Sequence, residues 1–397
     1  INPNRLSDEI LLDVPDEGLA VLIDNYRFVD IGPRRVNVEK DTYRFLQGLR
    51  GSWNNWDWET AVFVSKATSD DITSNRLSNT LVEEALALST PEAYNPFNGG
   101  GNFNEYLLYG QDQTPSVDGS IKNAIIDVYR KGERKLKGWD FKIANLKFLQ
   151  INSGFISLVT GAEYREDSFK DDRDPRLDGT ILYTDKDGDT YPFVSDVMNS
   201  SPTPDNSGKR DVISTFFELG VPLISEDMNI PFIKSIDIQV AGRYEDFSDI
   251  GSKAVPKIAI GWQFIDELMF RGSWSKGFRA PNLVQINESI VSRQIYGVDA
   301  LLCLQQINNN GQVDYCDYSL QRVARGSKEL RPEESTNISI GVVYEPKSIK
   351  NLIFTVDWWE IEKKDTIGLF GEDNIMLTDL LLRMESNNLN DCSSVKS

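Results

Sequence analysis

From Tyr43 onward the chain repeatedly sets an apolar residue at every second position with a polar or small one between. Tyr43, Phe45 and Leu49 alternate with Arg44, Gly48 and Arg50, and after Ser52-Trp53-Asn54-Asn55 the pattern resumes with Trp56, Trp58, Val62 and Val64. A period of two marks a strand whose two faces meet different surroundings. The clearest case sets Ile236, Ile238, Val240, Gly242 and Tyr244 against Ser235, Asp237, Gln239, Arg243 and Glu245. Comparable stretches lie at 139–144, 156–165, 213–221, 254–264, 268–275, 338–345 and 352–359. The pattern predicts about 11 or 12 strands of about ten residues each. Two short helices are expected besides, over Leu77–Leu88 and Ile375–Met384.

The connections sort by parity. Short or moderate turns near 53, 151, 228, 266 and 348 alternate with excursions at 66–127, 166–209, 246–251, 278–332 and from 363 onward. All but the third of these excursions are long. A β-sandwich with one solvated face reproduces the alternation but has no reason to sort its loops this way; an outer-membrane barrel does. Strands of about ten residues suit a bilayer crossing, with the Ile, Val and aromatic face toward lipid and the charged face toward a wet lumen. Aromatics gather toward strand ends, Trp56, Trp262, Tyr164, Tyr244 and Trp274 among them, as interfacial girdles do. The predicted fold is all-β: residues 1–397 as part of an antiparallel transmembrane β-barrel, with short periplasmic turns and extracellular loops at about 66–127, 166–209, 278–332 and 363–397. Open edges cannot sit in lipid, so further strands are required. The chain begins at Ile1 and is expected to be a piece of a longer protein.

Composition narrows the chemistry. With Lys+Arg 42 against Asp+Glu 61 and a net charge of −19, nucleic acid is not an expected partner. Histidine is absent, which removes histidine-based triads, histidine general bases and His-ligated zinc. No enzymatic activity and no cofactor are expected. No apolar run approaches the roughly 18 residues of a membrane helix. The mean hydropathy of −0.37 does not bear on a barrel, whose strands alternate.

Four features offer candidate chemistry. Asp185, Asp187 and Asp189 alternate as calcium-loop carboxylates do, yet Asp-Gly between Tyr183 and Tyr191 is also a hairpin turn, the preferred reading. Cys303 and Cys316 stand 13 positions apart in one predicted outer loop. In an oxidising compartment they would pair and close that loop, worth about 3 kcal/mol; two free thiols are the alternative. Asp357 and Glu360 near Trp358 and Trp359 fall on opposite strand faces and read as barrel wall, not as a glycosidase pair. Arg279 and Arg331 flank the long loop at 278–332, placed either to attract an anion or to pair with Glu333 or Glu334.

Six runs in order resemble the barrel signatures of TonB-dependent outer-membrane receptors: Gly161–Arg165, Ala241–Glu245, Pro256–Ile258, Gly277–Leu283, Leu330–Asn337 and Val356–Ile361. The resemblance covers roughly Tyr43 to Ile367. It implies a barrel of about 22 strands around a plug, embedded in outer-membrane lipid. Such a receptor binds a scarce small ligand, such as a siderophore, a vitamin or a saccharide, and imports it with energy passed through TonB to a plug that belongs N-terminal to this chain. Gly277, Phe278, Arg279, Ala280, Pro281, Pro332, Glu333 and Ser335 would then anchor the long loop without touching the ligand. A passive porin-like or structural barrel is the alternative function, and a soluble carbohydrate-binding sandwich a third.

Overall fold

The structure, a computed structural model, describes residues 26–28, 31–90, 92–94, 96, 121–299, 301, 303, 307 and 317–385. Its main feature is one antiparallel sheet in which each strand pairs with the next crossing strand along the chain. The strands are β1 (Arg35–Trp53), β2 (Trp56–Leu77), β3 (Ile125–Ile151), β4 (Gly154–Arg173), β7 (Asn206–Ile224), β8 (Ser235–Phe247), β9 (Gly251–Ile265), β10 (Leu268–Arg279), β13 (Glu333–Tyr344) and β14 (Phe354–Lys364). Two hairpins sit inside the connections, β5 (Leu182–Thr184) with β6 (Thr190–Ser195), and β11 (Val291–Val298) with β12 (Asp317–Ala324). Among the described residues ten strands make the wall, against the sequence expectation of 11 or 12.

Turns at Asn54-Asn55 and Asp266-Glu267 join neighbouring strands on one side. Asn54 takes φ 54°, a left-handed conformation that asparagine tolerates and tight hairpins need. The long connections, 78–124, 174–205 and 280–332, all leave from the opposite side. The sheet stays open, with β1 and β14 as its edges. Such edges need further strands before the wall can close in lipid.

The outer strand ends differ from expectation. β1 to β4 and β7 run 19 to 27 residues, so the connections expected at 66 and 166 leave at 78 and 174. Beyond the apolar band the sequence stops alternating although the ladder continues through pairs such as Arg35 with Ser74 and Lys131 with Asp172. The alternation marks the apolar belt rather than the full strand length.

Register carries the apolar face from strand to strand. Val62, Trp139, Tyr164 and Ile213 lie in one row, and Ile238, Ile260, Gly272 and Ile340 in another. These side chains point away from the lumen; Ile213 is 57% exposed. Large hydrophobics outside and charges inside reverse the soluble arrangement and fit an acyl-chain environment. Aromatic pairs gather at the short-turn end, with Trp56 and Phe148 at 5.9 Å, Phe232 and Phe264 at 5.6 Å, and Trp262 and Phe270 at 5.3 Å. Facing the lumen, the Phe216 ring covers Gly161, where an added Cβ would meet Phe216 Cζ at 2.6 Å.

A small core sits above the wall instead of within it. Helices α1 (Asn79–Ala87) and α2 (Ile121–Ala124) bury Leu77, Val82, Ala85, Tyr94, Ile121 and Ala124, and Tyr26, Phe28 and Met198 pack against them. The expected helix over 77–88 is α1, started by Ser78, whose hydroxyl accepts from the Leu81 amide. The other expected helix is Glu372–Glu385.

Candidate functional site

The inner wall is lined with charges that answer one another across strands. Arg243 bonds Glu163 and Glu245 at 2.5 and 2.6 Å, Lys142 bonds Glu59 at 2.5 Å, and Arg271 grips Asp357 with two bonds of 3.0 and 2.6 Å. Asp357 is therefore a partner in the wall, as its strand parity predicts.

Nearer the long connections this ladder opens into a recess of about 500 Å³. Its walls include Lys40, Arg130, Arg134, Asp171, Arg173 and Asn206. Arg130 clasps Asp171 through Nε and Nη2 at 2.7 and 3.0 Å, and Arg173 reaches the same carboxylate at 2.8 Å. Arg134 holds Asp167 at 3.0 Å. Arg130 and Arg134 remain 52% and 68% exposed, so each guanidinium keeps N–H donors free for a solute. A planar fork of donors suits carboxylate and other anionic oxygens. Sequence reading missed these residues because the flanking Lys131, Glu133 and Lys135 erase the apolar half of the pattern. Extending the parity of Asp140 and Lys142 upstream would have placed Arg130 and Arg134 on the inner face.

The signature stretch supplies one rim of the recess. β10 ends at Arg279, and Pro281 and Leu283 are buried as the chain turns into α4 (Leu283–Asn287). Asn282 and Gln285 cap that helix reciprocally, each side chain bonding the other's backbone amide at 2.8 Å. Gly208 of β7 lets the Asn287 amide approach to where a Cβ would stand. Val284 and Glu288 consequently face the recess. Arg279 bonds Glu333 at 2.7 and 2.5 Å and Pro332 is buried, so both ends of the connection are pinned. Phe278 packs edge-on against Phe247 at 5.8 Å, and Gly277 faces the Ser335 hydroxyl. Arg331 is exposed.

The Asp185 turn is closed by its own backbone. Asp185 accepts from the amides of Asp187 and Asp189 at 3.0 and 2.9 Å and from the Tyr191 hydroxyl at 2.8 Å, while Asp187 pairs with Lys186. The Asp189 amide and then Tyr191 hold the Asp185 carboxyl below its ordinary range. Burial, then the bond to Glu83, pushes the Tyr183 hydroxyl up. Among the described residues no three carboxylate or cysteine side chains gather as a metal site.

Beside this turn, Asp196 joins two long connections. It accepts from Ser78 Oγ at 2.8 Å, the Thr80 amide at 3.0 Å and Arg176 Nε at 3.1 Å. Cys303 is disulfide-bonded; Cys316 and Cys392 lie outside the described residues.

Residues 15–380 match the family described as TonB dependent receptor-like, beta-barrel, and the chain belongs to that family. Its homologues include the probable TonB-dependent siderophore receptor PirA of Acinetobacter baumannii, 25% identical over 212 residues, which cover 53% of this chain and 23% of that protein. Among solved structures, PirA aligns with a TM-score of 0.47 at 19% identity, over 83% of this chain and 35% of that one. A ferric enterobactin receptor mutant (PfeA) of Pseudomonas aeruginosa gives 0.46 at 16% identity, over 83% and 35%. The chain therefore spans about a quarter of its curated relative and about a third of these solved receptors.

Proposed function

We propose that this chain forms part of the wall of an outer-membrane receptor that binds an oxygen-rich anionic ligand at its extracellular mouth and imports it with energy delivered through TonB. The long connections are then extracellular, the apolar belt faces outer-membrane lipid, and a plug encoded upstream receives TonB. The observation that carries the reading is the recess holding Arg130, Arg134 and Arg173 at the long-connection end of a family barrel. Ferric siderophores are the first ligand class to test, because PirA is named a siderophore receptor. A carboxylate or other anionic oxygen on such a ligand would meet bidentate guanidinium donors.

The test uses the full-length receptor in cells and a panel of iron-loaded siderophores. Uptake should require TonB, while binding at the cell surface should not. Arg130→Ala with Arg134→Ala should weaken binding on the order of a hundredfold, two charge-assisted contacts at about tenfold each. Uptake that continues undiminished without TonB would establish a passive barrel instead.

A further inference from the structure

At its long-connection end, β2 buries an arginine. The ladder from β2 to β3 slips between Thr73 and Arg76, and Asn75 sits in the slip at φ 59°, its side-chain amide donating to the Pro33 carbonyl at 2.8 Å. An irregularity of this kind re-aims the side chain beside it. Arg76 is left 8% exposed against residues 198–200 of the 174–205 connection. It donates through Nη2 alone, to the Met198 carbonyl and the Ser200 hydroxyl, both at 2.6 Å. Both acceptors are neutral. Among the described residues Nε and Nη1 meet no acceptor, and no carboxylate pairs with the guanidinium.

Burial, then the charge of Arg34, pushes the Arg76 guanidinium below its ordinary range, yet an arginine keeps its proton inside a protein. A buried charge is costly unless an opposite charge meets it. The same guanidinium lines a cavity of about 300 Å³, and Arg27 and Arg34 line it too. Neither of these exposed arginines is ion-paired among the described residues. Three like charges thus share one space, which an anion would relieve. Tyr26, Phe28 and Met198 give the cavity an apolar side as well.

We infer that the cavity between Arg76 and the segment 26–34 is a binding site for a small organic carboxylate with an apolar body, its oxygens taking Arg76 Nε and Nη1 and flanked by Arg27 and Arg34. The planar guanidinium fork matches a carboxylate, and the apolar side accepts the body. This site is separate from the recess assigned to the imported ligand, with which it shares no lining residue. Because Arg76 also holds Met198 and Ser200, the bound anion ties segment 26–34 to the 174–205 connection.

The experiment titrates the full-length receptor in detergent with benzoate by calorimetry, and with acetate, benzamide and inorganic phosphate for comparison. Benzoate should bind, acetate should bind more weakly for want of the apolar body, and benzamide should give no measurable heat for want of the charge. Arg34→Gln, at an exposed position where misfolding is not at issue, should weaken benzoate on the order of tenfold. Arg76→Lys keeps the charge but loses the fork, and should weaken it at least as much. Arg325→Gln, exposed in the 280–332 connection and outside the cavity lining, should bind benzoate as the unaltered receptor does. Bound benzoate should also slow hydrogen exchange at 198–200. Absence of benzoate binding, equal binding of benzamide, unchanged affinity in Arg34→Gln, or tighter binding of inorganic phosphate than of benzoate would each overturn the inference.

Discussion

Arg279 and Glu333 face each other across the first rung of the β10–β13 pair, joined by bonds of 2.7 and 2.5 Å, and Glu333 also accepts from the Ile367 amide at 2.8 Å. One carboxylate thus fastens both roots of the 280–332 connection and the chain beyond β14. Because the strands stay paired without it, Glu333→Gln should leave the barrel folded, with an unchanged heat-modifiable band on electrophoresis. Protease cleavage within 280–332 should accelerate several-fold. Unchanged cleavage would show that α4 and Pro332 hold the roots alone.

Asp196 is expected to make two connections behave as one body. Removing it strands Arg176 and uncaps the first turn of α1, at a local cost of about 2–3 kcal/mol. That lies at or below the range for a fully enclosed pair, since Arg176 reaches water. In Asp196→Ala, hydrogen exchange should rise together across residues 79–87 and 182–195. Loosening of one segment alone would contradict the shared clamp.

Gly161 permits the Phe216 ring to lie flat on the lumenal wall. Gly161→Ala should destabilise the barrel by about 1–3 kcal/mol through overpacking, read as a lower thermal midpoint in detergent. Phe216→Leu added to it should recover only the ring's share of the loss, because the Phe141 carbonyl oxygen stands closer still to the added Cβ and stays in place.

The hairpin β5–β6 should respond to acid in one direction. Asp185 has a depressed folded pKa, so its stabilising contribution is complete above the unfolded value of about 3.9 and is lost as pH falls through the lower folded value. Exchange protection of 190–195, corrected for intrinsic rates, should stay constant from pH 7 to pH 5 and drop only below about pH 4. Asp185→Asn should flatten that acid step.

The crossing strands were legible because an apolar outer face and a charged inner face set every second residue apart. Ile236 to Tyr244 and Leu268 to Trp274 declare strand, face and register, and the sorted connections gave the side of the membrane reading. Arg130 and Arg134 were hidden for the opposite reason: Lys131, Glu133 and Lys135 face water too, so nothing contrasts with them. Asp196 was beyond reach, since its burial depends on Ser78, Thr80 and Arg176 arriving from two distant segments. The Arg279–Glu333 pair stood among the weighed possibilities because both residues lie at the strand ends that flank one loop.

The wall itself is tested most directly by nitroxide labels in the full-length receptor reconstituted in bilayers, placed singly at neighbouring positions of opposite parity: Ala61 and Val62, Ile258 and Ala259, Ser339 and Ile340. Val62, Ile258 and Ile340 should be relaxed by dissolved oxygen and shielded from a water-soluble nickel chelate, with the ratio reversing at Ala61, Ala259 and Ser339. Equal access of the chelate to both members of each pair would contradict a lipid-facing barrel wall.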